Sequence, residues 1–103
     1  MKTALITILF TAAASVAFAA DATAGKAVYD KSCKACHGAD GKGNPAIAKA
    51  LKVDLRSLGS PEVQGKSDAE LKKDSIEGTG KMRPVKLTDA QGSDVVGYVR
   101  TLK

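Results

Sequence analysis

The chain has 103 residues, room for one domain, and its formal net charge is +5, with 16 lysines and arginines against 11 acidic residues. This basic excess is spread without a lysine or arginine block and comes with no nucleic-acid-binding motif, so it favours an acidic protein partner over nucleic acid. With two cysteines and one histidine in all, the chain cannot supply the four ligands of a structural zinc site by itself.

The first stretch has the pattern of a secretory signal peptide. Lys2 gives a positive start, an apolar run follows, and residues 17–19 fit the small-x-small pattern that precedes a cleavage site. The alternative is a retained membrane anchor, but the apolar run meets Asp21 directly and lacks a basic stop-transfer flank. We therefore predict cleavage after Ala19 or Ala20.

Taking residues 1–20 as the signal peptide leaves one periplasmic domain over residues 21–103, without a membrane span. Its first predicted helix is capped by Asp21 or Thr23, continues into residues 33–37 and ends at Gly38. The glycines and the proline that follow predict a loop.

Residues 33–37 read Cys-Lys-Ala-Cys-His, the attachment sequence of a c-type haem. Residues three and four apart share a helical face, so Cys33, Cys36 and His37 can all point at one flat object. Two thiols can form thioethers to the macrocycle while the imidazole takes the proximal position on iron. A thioredoxin-like pair would need a βαβ context, and a disulfide across so short a loop would stabilise little. The sequence therefore predicts one haem c.

The rest of the chain reads as helices and loops. A short helix is predicted over residues 46–51, and residues 52–65 have no clear period. Capping boxes over residues 67–70 and 88–91 begin two helices, of which the first closes at Gly78. Without an alternating strand, the predicted class is all-α, with three main helices, short helical turns and loops around one haem.

Met82 is the predicted second axial ligand of the iron. It is the only methionine left once Met1 is removed with the signal peptide, and a thioether suits haem iron. The alternative is a methionine that fills a gap in the core. Its neighbours Lys81 and Arg83 favour water, which makes a core position a poor fit.

These features together resemble a class I cytochrome c over the whole of residues 21–103. The order is part of the resemblance, because the histidine comes early, the methionine follows the third helix and an aromatic-bearing helix is last. The matching stretches are residues 24–29, 33–43, 67–71, 80–82 and 95–102.

The resemblance implies that the first and last helices cross, with Gly25 and Tyr29 facing Val95 and Tyr98. A missing side chain at Gly25 would then allow close backbone approach.

The resemblance also implies a role for Pro45, whose carbonyl would accept a hydrogen bond from His37 and fix the ring's orientation. One departure concerns the methionine loop. Small members of the family commonly have proline directly after the methionine, whereas Arg83 intervenes here before Pro84.

An iron held by both His37 and Met82 has no open position for a substrate, so the sequence predicts an electron carrier and not an enzyme. We expect a monomer that transfers one electron between redox proteins and docks an acidic face near Lys81, Arg83 and Lys86. The alternatives are a haem subunit that never leaves an oxidoreductase complex, and a redox or gas sensor.

Overall fold

The computed structural model describes residues 20–103, so the signal peptide predicted over residues 1–20 lies, except for Ala20, outside the described residues. The helices are α1 (Ala22–Ser32), α2 (Lys34–His37), α3 (Pro45–Leu51), α4 (Pro61–Gln64), α5 (Asp68–Glu77) and α6 (Asp89–Val99). A 3₁₀ turn over Arg100–Leu102 ends the chain. Residues 20–103 contain no β-strand, and the predicted all-α class is confirmed.

The three long helices begin at side-chain caps that local sequence chemistry predicts. Asp21 accepts hydrogen bonds from the amides of Thr23 and Ala24 at the start of α1. Thr88 and Gln91 form both bonds of a capping box at the start of α6. These bonds satisfy amides that a helix start otherwise leaves without partners.

The first helix does not run unbroken into the Cys-x-x-Cys-His residues, contrary to the sequence-based expectation. It ends at Ser32, because Cys33 has a φ of −121° and leaves the helical conformation, and α2 then forms a separate turn. The expected end of this turn is correct. Gly38 has a φ of +81°, a value that suits glycine and few other residues.

Helices α1 and α6 cross in close contact at Gly25, as the family resemblance implies. A Cβ atom on Gly25 would lie 1.9 Å from the backbone oxygen of Asp94 and 3.1 Å from Cβ of Tyr98. One turn further along α1, the rings of Tyr29 and Tyr98 lie 5.0 Å apart at 57°, a tilted arrangement that aromatic pairs favour. This crossing fixes the helix that carries Cys33 at its end.

Replacing Gly25 with alanine is expected to destabilise the holoprotein by about 2 kcal/mol or more, since the added methyl must push the two helices apart. Denaturant unfolding would measure the change. The control is Ala27→Gly, an exposed site on the same helix, which should cost about 1 kcal/mol through helix propensity alone. A Gly25→Ala protein as stable as the wild type would show that the crossing does not depend on this glycine.

Two glycines on α6 leave room for neighbouring side chains to pack closely against that helix. A Cβ on Gly92 would lie 2.9 Å from Cδ1 of Ile76 on α5, and one on Gly97 would lie 2.9 Å from Cβ of Ala20. The sequence offers no reason for either glycine, and each costs about 1 kcal/mol of helix propensity relative to alanine. Packing against α5 and Ala20 provides the reason.

The apolar core is small. Among residues 20–103 the buried apolar side chains are Tyr29, Val95 and Val96, all at or beside the α1–α6 crossing. Five further apolar side chains are only half-buried and line a cleft in the interior, namely Leu55, Leu58, Val63, Leu71 and Val99. No helix between residues 20 and 103 combines the length and the apolar character needed to cross a bilayer.

Candidate haem site

The interior of the domain holds a cleft made of two adjoining cavities, with volumes of about 260 Å³ and 490 Å³. We call these two cavities together the central cleft. The residues that line both of them are Cys33, His37, Asp54, Leu55, Thr79 and Met82. Space of this size, lined by apolar and sulfur-bearing side chains with a few polar groups, is typical of a cofactor site.

The structure brings most of the sequence-predicted site residues to this cleft. Cys33 and His37 line it from the α1–α2 side, Met82 lines it from the loop after α5, and Cys36 lines the larger cavity. Pro45, the first residue of α3, lines neither cavity. Two thiols, an imidazole and a thioether at one apolar cleft are a donor set suited to a covalently held haem.

Asn44 holds the α2 turn in place. Its backbone amide donates to the Cys36 oxygen at 2.9 Å, and its side-chain amide donates to the Ala35 oxygen at 3.2 Å. The amide of Gly43 donates to the His37 oxygen at 2.7 Å. The carbonyls at the end of α2 thus have partners, and the Asn44 side-chain oxygen also caps α3 through the amide of Ala46.

The side chain of Tyr29 also holds the α2 turn in place. Its hydroxyl donates to the Gly38 oxygen at 2.5 Å, and its side chain is fully buried and lines the smaller cavity. Burial, with a smaller contribution from the nearby Cys33, raises the pKa of Tyr29 to about 12. The phenol therefore stays neutral and keeps its proton for this hydrogen bond.

His37 is held as a neutral imidazole. Burial lowers the pKa of His37, and the neutral ring is the form that ligates a metal. Its Nδ1 atom is buried without a hydrogen-bond partner among the described residues, so the bond to the Pro45 carbonyl implied by the resemblance is not formed in this structure. A buried ring that retains a free nitrogen is compatible with a ligand role.

The electrostatics of Cys33 argue against a dithiol redox pair. Burial first, and the neighbouring Cys36 second, raise the pKa of Cys33 to about 11. Reactive thiols in Cys-x-x-Cys redox motifs have a lowered pKa, because the thiolate is the attacking species. Cys33 instead has the properties of a buried thiol that is protonated at neutral pH.

Met82 is presented by a tight turn. The amide of Thr79 donates to the Met82 oxygen at 3.1 Å, and the amide of Met82 donates back to the Thr79 oxygen at 2.9 Å. Gly80, the first central residue, has a φ of +57°, as a type II′ turn requires. Beyond the turn, the amide of Val85 donates to the Ser75 oxygen at 3.0 Å and ties the chain to α5.

A lysine connects the Met82 turn to the end of α3. The ammonium group of Lys81 donates to the Leu51 oxygen at 2.7 Å, so the two segments are joined beside the larger cavity, which both residues line. Leu51 itself is 44% exposed. Part of the positive charge predicted for partner docking is therefore also used inside the molecule.

Sequence reasoning missed one side of the cleft, formed by residues 53–66, which we call the wall segment. Its side chains at the smaller cavity include Leu55, Leu58, Val63 and Lys66. Gly41 and Gly43 allow it to pack closely, because a Cβ on Gly43 would lie 2.9 Å from Cβ of Leu55 and one on Gly41 3.3 Å from Cβ of Leu58. The segment has no helical or strand period, so its sequence carried no signal.

Comparison with known proteins places the chain in a family. The profile of the family described as Cytochrome c matches residues 22–103. Over 94 aligned positions the chain is 37% identical to cytochrome c-555 of Chlorobaculum tepidum, covering 81% of this chain and 78% of that protein. Over 93 positions it is 33% identical to cytochrome c-554(547) of Halothiobacillus neapolitanus, covering 82% of this chain and 100% of that protein.

A solved structure gives the same result. The protein named KustC0563 c-type cytochrome superposes with a TM-score of 0.66 at 32% identity, over 77% of this chain and 96% of that chain. The all-α architecture and the donor set of the central cleft agree with this likeness. The chain therefore belongs to the cytochrome c family and is a haem electron carrier with a covalently bound c-type haem and its iron.

Proposed function

We propose that Cys33 and Cys36 carry the two thioether bonds and that His37 and Met82 are the two axial ligands of the iron. Cys33, His37 and Met82 all line both cavities, while Cys36 lines the larger one. The buried, neutral ring of His37 suits the proximal position, and Met82 is the only methionine among residues 20–103.

With this ligand set the protein is a one-electron carrier that has no catalytic step. The iron supplies a centre that changes its charge by one while both axial positions remain filled. The protein's own contribution is to keep the side chains that bind the iron in fixed positions. Asn44 and Tyr29 fix the α2 turn, and the Thr79–Met82 turn is fixed by its paired backbone bonds. Because these turns are held rigidly, we expect the ligand side chains to move little when the iron gains or loses an electron.

We further propose that the protein is exported, processed near Ala20 and free to diffuse between redox partners. The small-x-small pattern before residue 20 and the two cysteines committed to cofactor attachment support export. The described domain supports a freely diffusing monomer because it exposes only one large apolar side chain, Leu51. A permanent complex usually needs a larger apolar face than one leucine.

The docking surface is the basic surface beside the Met82 turn, formed by Lys81, Arg83 and Lys86. All three residues are exposed, and Lys81 and Arg83 line the larger cavity. None of them forms an ion pair within residues 20–103, in contrast to Lys26, whose ammonium lies 2.8 Å from Asp30. Unpaired positive charge near the cleft can steer an acidic partner toward it.

Charge reversal at Lys86 is expected to slow electron transfer to an acidic redox partner by about tenfold at low salt, with a flatter dependence on ionic strength. Stopped-flow absorbance would give the bimolecular rate constant as salt is raised through about 0.1 M, where the Debye length is about 10 Å. Lys86→Glu is preferred to Lys81→Glu, because Lys81 also donates a hydrogen bond to the Leu51 oxygen, and its loss would change the structure as well as the charge.

The matched control is Lys26→Glu, which has the same change in net charge on the far helix α1. Its rate should stay close to that of the wild type, since Lys26 lines neither cavity of the central cleft and lies on a different element from the basic surface. If both variants slow equally, net charge alone matters and the basic surface is not a docking site. A rate that does not rise with partner concentration would contradict the freely diffusing carrier.

A further inference from the structure

The wall segment needs support from outside itself. Between residues 53 and 66 its only regular element is α4, a helix of four residues, which is too short to be stable alone. Its side chains nevertheless form one side of the smaller cavity. Whatever holds this segment therefore controls how tightly the cleft is closed.

Arg100 supplies side-chain support at the far end of the segment. Its Nη1 donates to the backbone oxygen of Gln64 at 2.8 Å and to the Gln64 side-chain oxygen at 3.3 Å. Its Nη2 donates to the Lys66 oxygen at 2.7 Å, and Nε and Nη2 both donate to Oδ1 of Asp68 at 3.0 and 2.8 Å. One planar guanidinium thus makes five hydrogen bonds, three to Gln64 and Lys66 at the end of the wall segment and two to Asp68 at the start of α5.

Gln64 extends these bonds further along the wall. Its side-chain amide donates to the Leu58 oxygen at 2.7 Å and to the Val99 oxygen at 3.1 Å. Val99 itself lines the smaller cavity, and Arg100 is the next residue. The end of α6 therefore presents one side chain to the cleft and the next to the segment that closes it.

The geometry points to Arg100 as a positioning residue for the haem site, which keeps the wall segment closed and limits the access of water to the central cleft. This inference rests on the proposed function, in which the haem lies in that cleft. Charge-assisted bonds to backbone carbonyls are strong, and the Arg100 side chain is 28% exposed, so water competes only partly for it. A lysine could not reproduce the planar fork.

Water in the cleft would lower the reduction potential, because the oxidised centre has one more positive charge and is stabilised more by water. Loss of a positive charge at Arg100 would lower it as well. Arg100→Lys keeps the charge and removes the fork, so it separates the two causes. Asp68→Ala separates them further, because it removes a negative charge, which should raise the potential, and leaves the bonds from Arg100 to Gln64 and Lys66 in place.

The experiment measures hydrogen exchange and the reduction potential on the haem-loaded variants. In Arg100→Lys, the amides of Leu58 and Gly65 are expected to exchange about tenfold faster, because each charge-assisted bond lost is enough for a factor of that size. The Cys33 amide, which is bonded to the Tyr29 oxygen on α1, should be unchanged. The potential should fall in Arg100→Lys, which loses the fork, and should not fall in Asp68→Ala, which keeps Arg100 on the wall segment.

The control is Lys73→Met, which removes a charge on α5 from a side chain that is 71% exposed and lies outside the wall. A potential that falls in Lys73→Met and stays constant in Arg100→Lys would show a charge effect alone and overturn the inference. Equal acceleration at Leu58 and Cys33 would show global loosening and overturn it too. The exchange rates do not depend on Met82 ligation, whose failure would appear separately as a missing sulfur–iron absorption band in the wild type.

Discussion

The chain without its haem is expected to be largely unfolded, with most of the helical circular dichroism signal lost and no cooperative thermal transition. Full burial of an apolar side chain contributes about 1.5–3 kcal/mol, whereas ordering the backbone costs about 1–2 kcal/mol per residue. Within residues 20–103, full burial of apolar side chains is limited to Tyr29, Val95 and Val96. The half-buried leucines and valines around the cleft depend on the cofactor to complete their burial.

This expectation is checked with the Cys33→Ala/Cys36→Ala variant, purified free of haem and compared with the haem-loaded wild type. Circular dichroism during heating would follow the helices of both proteins. A sharp, reversible melting transition in the haem-free variant would contradict the claim, because it would show that the α1–α6 crossing is sufficient to stabilise the fold.

Replacing Met82 with alanine is expected to have the second large effect, on the potential and on ligand binding. The potential should fall by roughly 0.1–0.2 V, a part of the roughly 0.8 V range that axial ligands span. The variant should lose a weak sulfur-to-iron band at the red end of the ferric spectrum and should newly bind carbon monoxide in the ferrous state. A redox titration with visible spectra would record these changes.

Val85→Ala is the matched control for this substitution. Val85 lies in the same loop, is half-buried and lines the larger cavity, so its truncation opens the cleft while the Met82 sulfur remains. The control should keep the sulfur-to-iron band and exclude carbon monoxide. If Met82→Ala behaved like Val85→Ala, sulfur ligation would be rejected and Met82 would be a core residue only.

The parts of the fold that local chemistry determines could be predicted from the sequence. Asp21, Ser67 and Thr88 start helices because each side-chain oxygen accepts an amide only two or three residues away. Gly38 and Gly78 end helices at positive φ for an equally local reason. The break at Cys33 was not predicted, since a departure from helical angles at a single cysteine leaves no sequence pattern.

Long-range structure accounts for what the sequence did not reveal. The wall segment is held by Gly41 and Arg100, and neither partner can be deduced from the composition of residues 53–66. Ser60 caps α4, a helix of four residues whose formation also depends on those distant contacts. The side chains that meet at the cleft were easier to predict, because Cys33, Cys36 and His37 are close in sequence and Met82 is the only methionine among residues 20–103.

Ala20 and Asp21 both contact α6, so the two predicted positions of signal cleavage would leave different contacts at the start of the folded chain. The Asp21 amide donates to Oδ1 of Asp94 at 3.0 Å, and Cβ of Ala20 packs over Gly97. Cleavage after Ala19 would keep both contacts and leave a free amino group on Ala20. Cleavage after Ala20 would remove the methyl contact but place a terminal ammonium on Asp21 beside the Asp94 carboxylate, exchanging an amide–carboxylate hydrogen bond for an ion pair. Because each cut keeps at least one attachment of the chain end to α6, we expect the fold to tolerate both.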